Sequence, residues 1–196
     1  YPQMERIRVT AHEVPLDPAH GESDVVFRMT RSDVAVSQAD FERSTSEVNV
    51  TALRSGLEGL RLLKTTGSSF EAFARDQYTS LPDLVDRPLT IRMDAFWRYG
   101  DVRDAADDTT HVPAEQVRRS IELTFHDFNS RSIQHLVHVM GTSLLNGFPS
   151  LSEIEFAAEN HTPDAVAEGK GDVRVFAEPR QTFGKIGLVL RRDVLG

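Results

Sequence analysis

The chain has no cysteine among its 196 residues. Disulfides and thiolate metal sites are therefore excluded, and a reducing cytosol is permitted. Lysine is nearly absent as well, with Lys64, Lys170 and Lys185 alone. No apolar run approaches the ~18–20 residues of a membrane-spanning helix. The first residues lack a signal-peptide layout, and Asp193-Val194-Leu195-Gly196 is not a peroxisomal tail, so a cytoplasmic location is expected. No Walker loop, G-x-G-x-x-G fingerprint or Ser-centred nucleophile elbow occurs. Those absences argue against nucleotide hydrolysis, Rossmann redox chemistry and α/β-hydrolase catalysis.

What is present suffices for a packed fold. Hydrophobic residues make up 39% and charged residues 27%, a globular balance. The length allows one large or two small domains. A formal net charge of -8 disfavours nucleic acid as a partner. It leaves room for a small anion wherever a local arginine supplies the field. The chain begins at Tyr1 without an initiator Met, and the expectation is that an upstream portion has been cut off or omitted.

Periodicity organises the chain. Ile7, Val9 and Ala11 alternate with polar residues and predict a strand with one buried face. After the loop at residues 17–21, a second strand is expected around Val25, Phe27 and Met29, continuing past Val34 and Val36 and pairing with the first. A third runs from about Val48 to Lys64, where Gly56 and Gly59 suggest a bulge or a close backbone approach. Residues 70–78 read as a short helix. Ile91, Met93, Ala95, Trp97 and Tyr99 then mark one face of a long half-buried strand.

Val117, Ile121, Phe125 and Phe128 recur at helical spacing behind Pro113. Asn129 or Ser130 is expected to cap a second helix carrying Ile133, Leu136, Val137, Met140 and Leu144. Asn146-Gly147 is expected to end it in the left-handed conformation. Strands containing Ile154, Phe156 and Ala158, then Val173, Val175 and Ala177, precede a final segment with Ile186, Leu188 and Leu190. Residues 43–196 thus read β-β-α-α-β-β, and residues 1–42 supply two strands.

The run Ser69-Phe70-Glu71-Ala72-Phe73-Ala74-Arg75-Asp76-Gln77-Tyr78-Thr79-Ser80-Leu81, continuing to Val85-Asp86-Arg87, carries the strongest chemical signal. A flat anionic heterocycle needs a ring face to stack on and parallel N–H donors for its edge, and Phe70 and Arg87 offer these. The ordinary readings are a core Phe beside Phe73 and a surface Arg paired with Asp86, the latter worth little. The pattern F-x-x-F-x-R-D-x-Y-T-x-L followed by D-R resembles the urate oxidases (uricases).

That resemblance implies an α+β fold of the tunnelling type: an antiparallel sheet with two helices packed on one face, in β-β-α-α-β-β units arranged in tandem. On this reading residues 1–42 are the second half of a first unit, and residues 43–196 are a complete second unit. The resemblance also implies a homotetramer with sites at subunit interfaces, since open sheet edges need partners. Urate and dioxygen are the implied substrates, giving 5-hydroxyisourate and hydrogen peroxide without metal or organic cofactor.

By the same resemblance Phe70 stacks under the purine and Arg87 grips one edge. Gln134 reads the opposite edge, and the backbone N–H of Ile133 adds a donor, as a helix N-terminus suits an anion. Asn160 holds water or dioxygen above the ring. Family members that use a catalytic His carry it two residues after this Asn, where Thr162 stands. His161 shares the catalytic part only if its side chain lies on the face of Asn160. The ordinary readings of Gln134 and Asn160 are an exposed helical Gln and a turn-forming Asn. His135 and His138 are three apart on a helix, but no carboxylate completes a metal motif beside them.

The family's Lys–Thr pair, which removes the proton, belongs to the first unit. None of the three lysines here lies in a matching motif, so this chain is expected to be a binding half-site whose partner is the missing N-terminal portion. The alternative from another class is a non-catalytic module of the same fold that binds a purine or pterin, or only assembles.

Overall fold

The computed structural model describes residues 3–18, 25–45, 47–71, 74–80, 83–129, 131–168, 173–179 and 183–194. The elements are β1 (Arg6–His12), β2 (Leu16–Pro18), β3 (Phe27–Met29), β4 (Val34–Arg43), β5 (Val48–Lys64), β6 (Leu89–Tyr99), α1 (Ala114–Asp127), α2 (Ile133–Gly147), β7 (Leu151–His161), β8 (Ala165–Glu168), β9 (Arg174–Phe176) and β10 (Gly184–Arg191). Six strands form one sheet in the order β1-β4-β5-β6-β7-β10, and every neighbouring pair is antiparallel.

Strand alternation creates the core. Leu89, Ile91, Met93, Ala95, Trp97 and Tyr99 of β6 are all buried, and their neighbours along the strand face the other side. On that buried face Val117, Ile121 and Phe125 of α1 meet Leu136, Val137, Met140 and Leu144 of α2 and Phe156 of β7. The helices therefore lie on one side of the sheet, as the family resemblance implies. The opposite face carries charge: the Arg54 guanidinium lies 3.5 Å from the Phe96 ring centroid and pairs with Glu155 at 3.2 Å.

Gly59 makes the expected bulge. Its φ is +77°, the β5–β6 register shifts between Leu57 and Leu60, and its freed N–H donates to Asp94 Oδ1 at 2.8 Å. Gly56 is the close approach, since a Cβ there would meet the Phe96 ring at 2.3 Å. Among the described residues no helix is long and apolar enough to cross a membrane.

Several local expectations are corrected. The second strand is two elements: β3 pairs with β2 in a small hairpin, whereas β4 pairs with β1. Ile7 and Val9 remain 45% and 47% exposed, because the helices cover only the part of the sheet beyond β4. Within residues 70–78 no helix is seen among the described positions. Asp76 instead takes the Tyr78 N–H (2.9 Å) and the Thr79 hydroxyl (2.9 Å) on one side-chain oxygen, a local bonding pattern that competes with helix. Ala72 and Phe73 lie outside the described residues.

Helix α2 is capped by Ser132, whose Oγ accepts from the His135 N–H at 3.2 Å; Asn129 is not the cap, and Ser130 lies outside the described residues. Gly147 stays within the helix and lacks a positive φ, so the left-handed ending is not used. The segment with Val175 pairs with β8 rather than joining the main sheet, where β10 is the last strand.

Helix α2 docks through Gly141. A Cβ at that position would meet Leu190 Cδ1 at 2.5 Å and Phe156 Cε2 at 3.3 Å. Gly141→Val is expected to cost about 1–3 kcal/mol by overpacking, read as a lower urea midpoint at constant slope. An unchanged midpoint contradicts this packing.

Candidate functional site

The stretch between β5 and β6 folds back on itself. The Phe70 N–H donates to the Leu84 carbonyl at 2.7 Å, and the Leu84 N–H returns to the Phe70 carbonyl at 3.0 Å. Next to this bridge the Arg87 N–H donates to the Ser68 carbonyl at 2.8 Å. The ladder brings together two residues far apart along the loop: the Arg87 guanidinium carbon lies 5.0 Å from the Phe70 ring centroid, within cation–π range.

Arg87 does not pair with Asp86. Among the described residues its side chain has no ion pair, and its Nε is buried without a hydrogen-bond partner. Burial alone pushes its pKa down from the ordinary arginine value. The neighbouring carboxylate is occupied elsewhere. Asp86 accepts from Arg174 Nη2 at 2.8 Å, from the Thr66 hydroxyl at 2.9 Å and from the Gly67 N–H at 2.7 Å. Arg174 Nη1 also reaches the Asp86 carbonyl at 3.2 Å. These donors, Arg174 first, hold the Asp86 carboxyl down at about 2. The result is a half-buried cation beside an aromatic ring, with its nearest carboxylate already satisfied.

At the start of α2, Ser132 satisfies two donors: its Oγ takes the His135 N–H, and its carbonyl takes the Leu136 N–H at 3.1 Å. The N–H groups of Ile133 and Gln134 have no partner among the described residues, as the first turn of a helix requires. The Gln134 side chain is exposed, and Ile133 is partly buried against the core. His135 sets its ring edge-on to Phe128.

Asn160 and His161 end β7 beside the start of β6. Asn160 pairs in register with Ile91, and His161 with Thr90. Asn160 therefore shares the helix-covered face of Ile91. On its other side lies Gly184, where a Cβ would sit 2.4 Å from Asn160 Oδ1; the glycine leaves space for the amide. His161 points the opposite way. Its Nε2 lies 3.5 Å from Glu159 Oε2 and its ring 5.1 Å from that of Phe183. It lines a cleft of about 580 Å³ together with Arg61, Arg92, Glu159 and Phe183. The expectation that His161 acts beside Asn160 needed a shared face; the one-residue offset on the strand turns the two side chains to opposite faces.

The structure thus joins Phe70 to Arg87 directly. No hydrogen bond or ion pair links the Arg87 side chain to Gln134 or Asn160 among the described residues. Sequence reasoning missed Arg174, which reaches Asp86 from β9; no periodicity or spacing signals a contact between positions so far apart in the chain.

A family model described as Uricase matches residues 53–187. The uricase of Halalkalicoccus jeotgali is 37% identical over an alignment of 194 positions that covers 94% of this chain and 63% of that protein. The uric acid degradation bifunctional protein of Bacillus sp. strain TB-90 is 33% identical over an alignment of 196 positions that covers 94% of this chain and 39% of that protein. The crystal structure of a uricase from Bacillus fastidious superposes with a TM-score of 0.88 at 36% identity, covering 100% of this chain and 64% of that one. The chain spans less than two thirds of the length of these relatives and aligns with the C-terminal part of the longer ones. The tunnelling fold expected from the sequence is the fold of these neighbours.

The Asp86 lock makes a pH prediction. Its folded pKa, about 2, lies below the unfolded value of ~3.9. The stability it contributes is therefore complete above the unfolded value and is lost as pH falls toward the folded one. Wild type is expected to exceed Asp86→Asn in urea stability at pH 6, with the gap narrowing below about pH 4. A gap that stays constant down to pH 2.5, a pH set about half a unit above the folded value, contradicts the lock.

Proposed function

This chain belongs to the uricase family, and from that premise and the geometry above we propose that it supplies the purine-binding half of a cofactor-independent urate oxidase. The observation that carries the reading is the half-buried Arg87 guanidinium beside the Phe70 ring, without a carboxylate partner among the described residues. Urate is a planar monoanion at neutral pH. Its ring stacks on Phe70 while two Arg87 N–H groups bond one edge, a charge-assisted bidentate contact. Gln134 presents both a donor and an acceptor to the opposite edge, and the free N–H of Ile133 adds a further donor. Asn160 holds water or dioxygen over the ring.

In the reaction a base takes a second proton from urate. The electron-rich dianion reduces dioxygen, and water then adds at the oxidised carbon. Overall urate, dioxygen and water give 5-hydroxyisourate and hydrogen peroxide. The base belongs to the N-terminal portion that the longer relatives possess, so the two portions act together. Residues 1–42 are read as the closing strands of the preceding tandem unit and residues 43–196 as the complete second unit. The sheet order β1-β4-β5, which sets the first strands beside the second unit, supports this reading. The exposed Ile7 and Val9 on β1 support assembly into a homotetramer with sites between subunits. The enzyme is assigned to the cytoplasm.

In the full-length protein, Arg87→Ala is expected to weaken urate binding about a hundredfold or more, since truncating one partner of a buried charge pair costs about 2–5 kcal/mol. Thermal stability should change little, because Arg87 holds no ion pair among the described residues. Initial rates of urate absorbance loss against urate concentration provide the check; an unchanged KM contradicts the reading.

A further inference from the structure

One ammonium ties the end of β5 to the helical layer. Lys64 Nζ donates to the carbonyls of Phe125 at 3.0 Å, His126 at 2.9 Å and Phe128 at 3.1 Å. Phe125 and His126 belong to the last turn of α1, and Phe128 is the residue after it. Carbonyls there have no intrahelical donor, and a cation is favoured at that end of the helix dipole. An ammonium has three N–H groups, and these acceptors use all of them. Burial pushes the Lys64 pKa down, while Asp127 and Asp86 hold it up.

Each end of this staple leads to one half of the proposed site. Beyond Lys64 the chain turns at Gly67, whose φ is +75°; a Cβ there would meet Lys64 Cε at 2.9 Å. The Gly67 N–H is held by Asp86, the residue before Arg87, and Phe70 follows the same turn. On the helical side, the Phe128 ring stands edge-on to His135 with centroids 4.7 Å apart and planes at 86°. His135 directly follows Gln134 in the first turn of α2.

We propose that Lys64 is a positioning residue whose triply bonded ammonium fixes the gap between the loop bearing Phe70 and Arg87 and the α2 turn bearing Ile133 and Gln134. The inference rests on the urate-binding reading above. Lys64 touches no substrate. It sets the separation of two jaws that grip opposite edges of one rigid ring, and misplacement by about 1 Å costs a preorganised site up to roughly 100-fold.

The test uses full-length protein and urate. Lys64→Met keeps the stem and removes the donors; its KM is expected to rise about tenfold or more, with a smaller fall in kcat. Lys64→Arg keeps a multiple donor and should restore most of the wild-type KM. A merely structural lysine behaves differently: its loss lowers the folded fraction, and so the apparent kcat, at constant KM. Should Lys64→Met not fold, Phe128→Leu leaves the ammonium in place but removes the ring contact to His135, and its KM is expected to rise. An active wild type with unchanged KM in the folded variant overturns the positioning role alone. A wild-type protein that leaves urate untouched overturns the functional reading and the positioning role with it.

Discussion

A cation kept half-buried, with no carboxylate partner among the described residues, is the constraint on which the site depends. Arg87 follows Asp86 directly, and the simplest outcome would be a local pair that cancels both charges. Three donors prevent it: Arg174, Thr66 and Gly67 hold the Asp86 carboxylate. Arg87 is thereby left beside Phe70 with its field uncancelled and its Nε unpartnered. Partial burial raises the value of such a charge, because the local dielectric falls below that of water. A chain of net charge -8 can attract an anion in this way, through one unneutralised group rather than through its overall balance.

The fold serves that constraint at several levels. The alternation of β6 buries one face against both helices and so fixes the strand that Arg87 leads into. The registers of β6 and β7 bring Asn160 beside the same strand end. Gly141 lets α2 lie close on β7 and β10, and that helix carries Gln134. The loop between β5 and β6 is closed by the Phe70–Leu84 bridge. Phe70 and Arg87 are thus held by backbone ladders at both ends of a loop whose tip is exposed, as a rigid scaffold presenting a functional loop requires.

How far the sequence revealed this follows from the range of the forces involved. Strands β5 and β6 and both helices are legible because a buried face imposes a period on the chain. The pairing of β1 with β4 was harder, since a small hairpin interrupts the connection and resembles a strand of the main sheet. The expected helix after Phe70 is not seen among the described residues, where Asp76 bonds its own neighbours. Phe70, Arg87, Gln134 and Asn160 were singled out through the family pattern, and of these the structure sets Phe70 and Arg87 side by side. The side-chain link from Arg174 to Asp86 was not, because it joins residues through tertiary packing alone. The displacement of His161 from the face of Asn160 was readable in principle, as it needs only the two-residue period of a strand.

The central claim is that the Phe70–Arg87 pair is a seat for a purine anion. It is tested most directly by the crystal structure of the full-length oligomer with urate bound under anaerobic conditions, where oxidation cannot proceed. The account predicts the ring stacked on Phe70, with two Arg87 N–H groups on one edge and Gln134 on the other. Urate bound away from Phe70, or Arg87 turned onto a protein carboxylate in the occupied site, would contradict it.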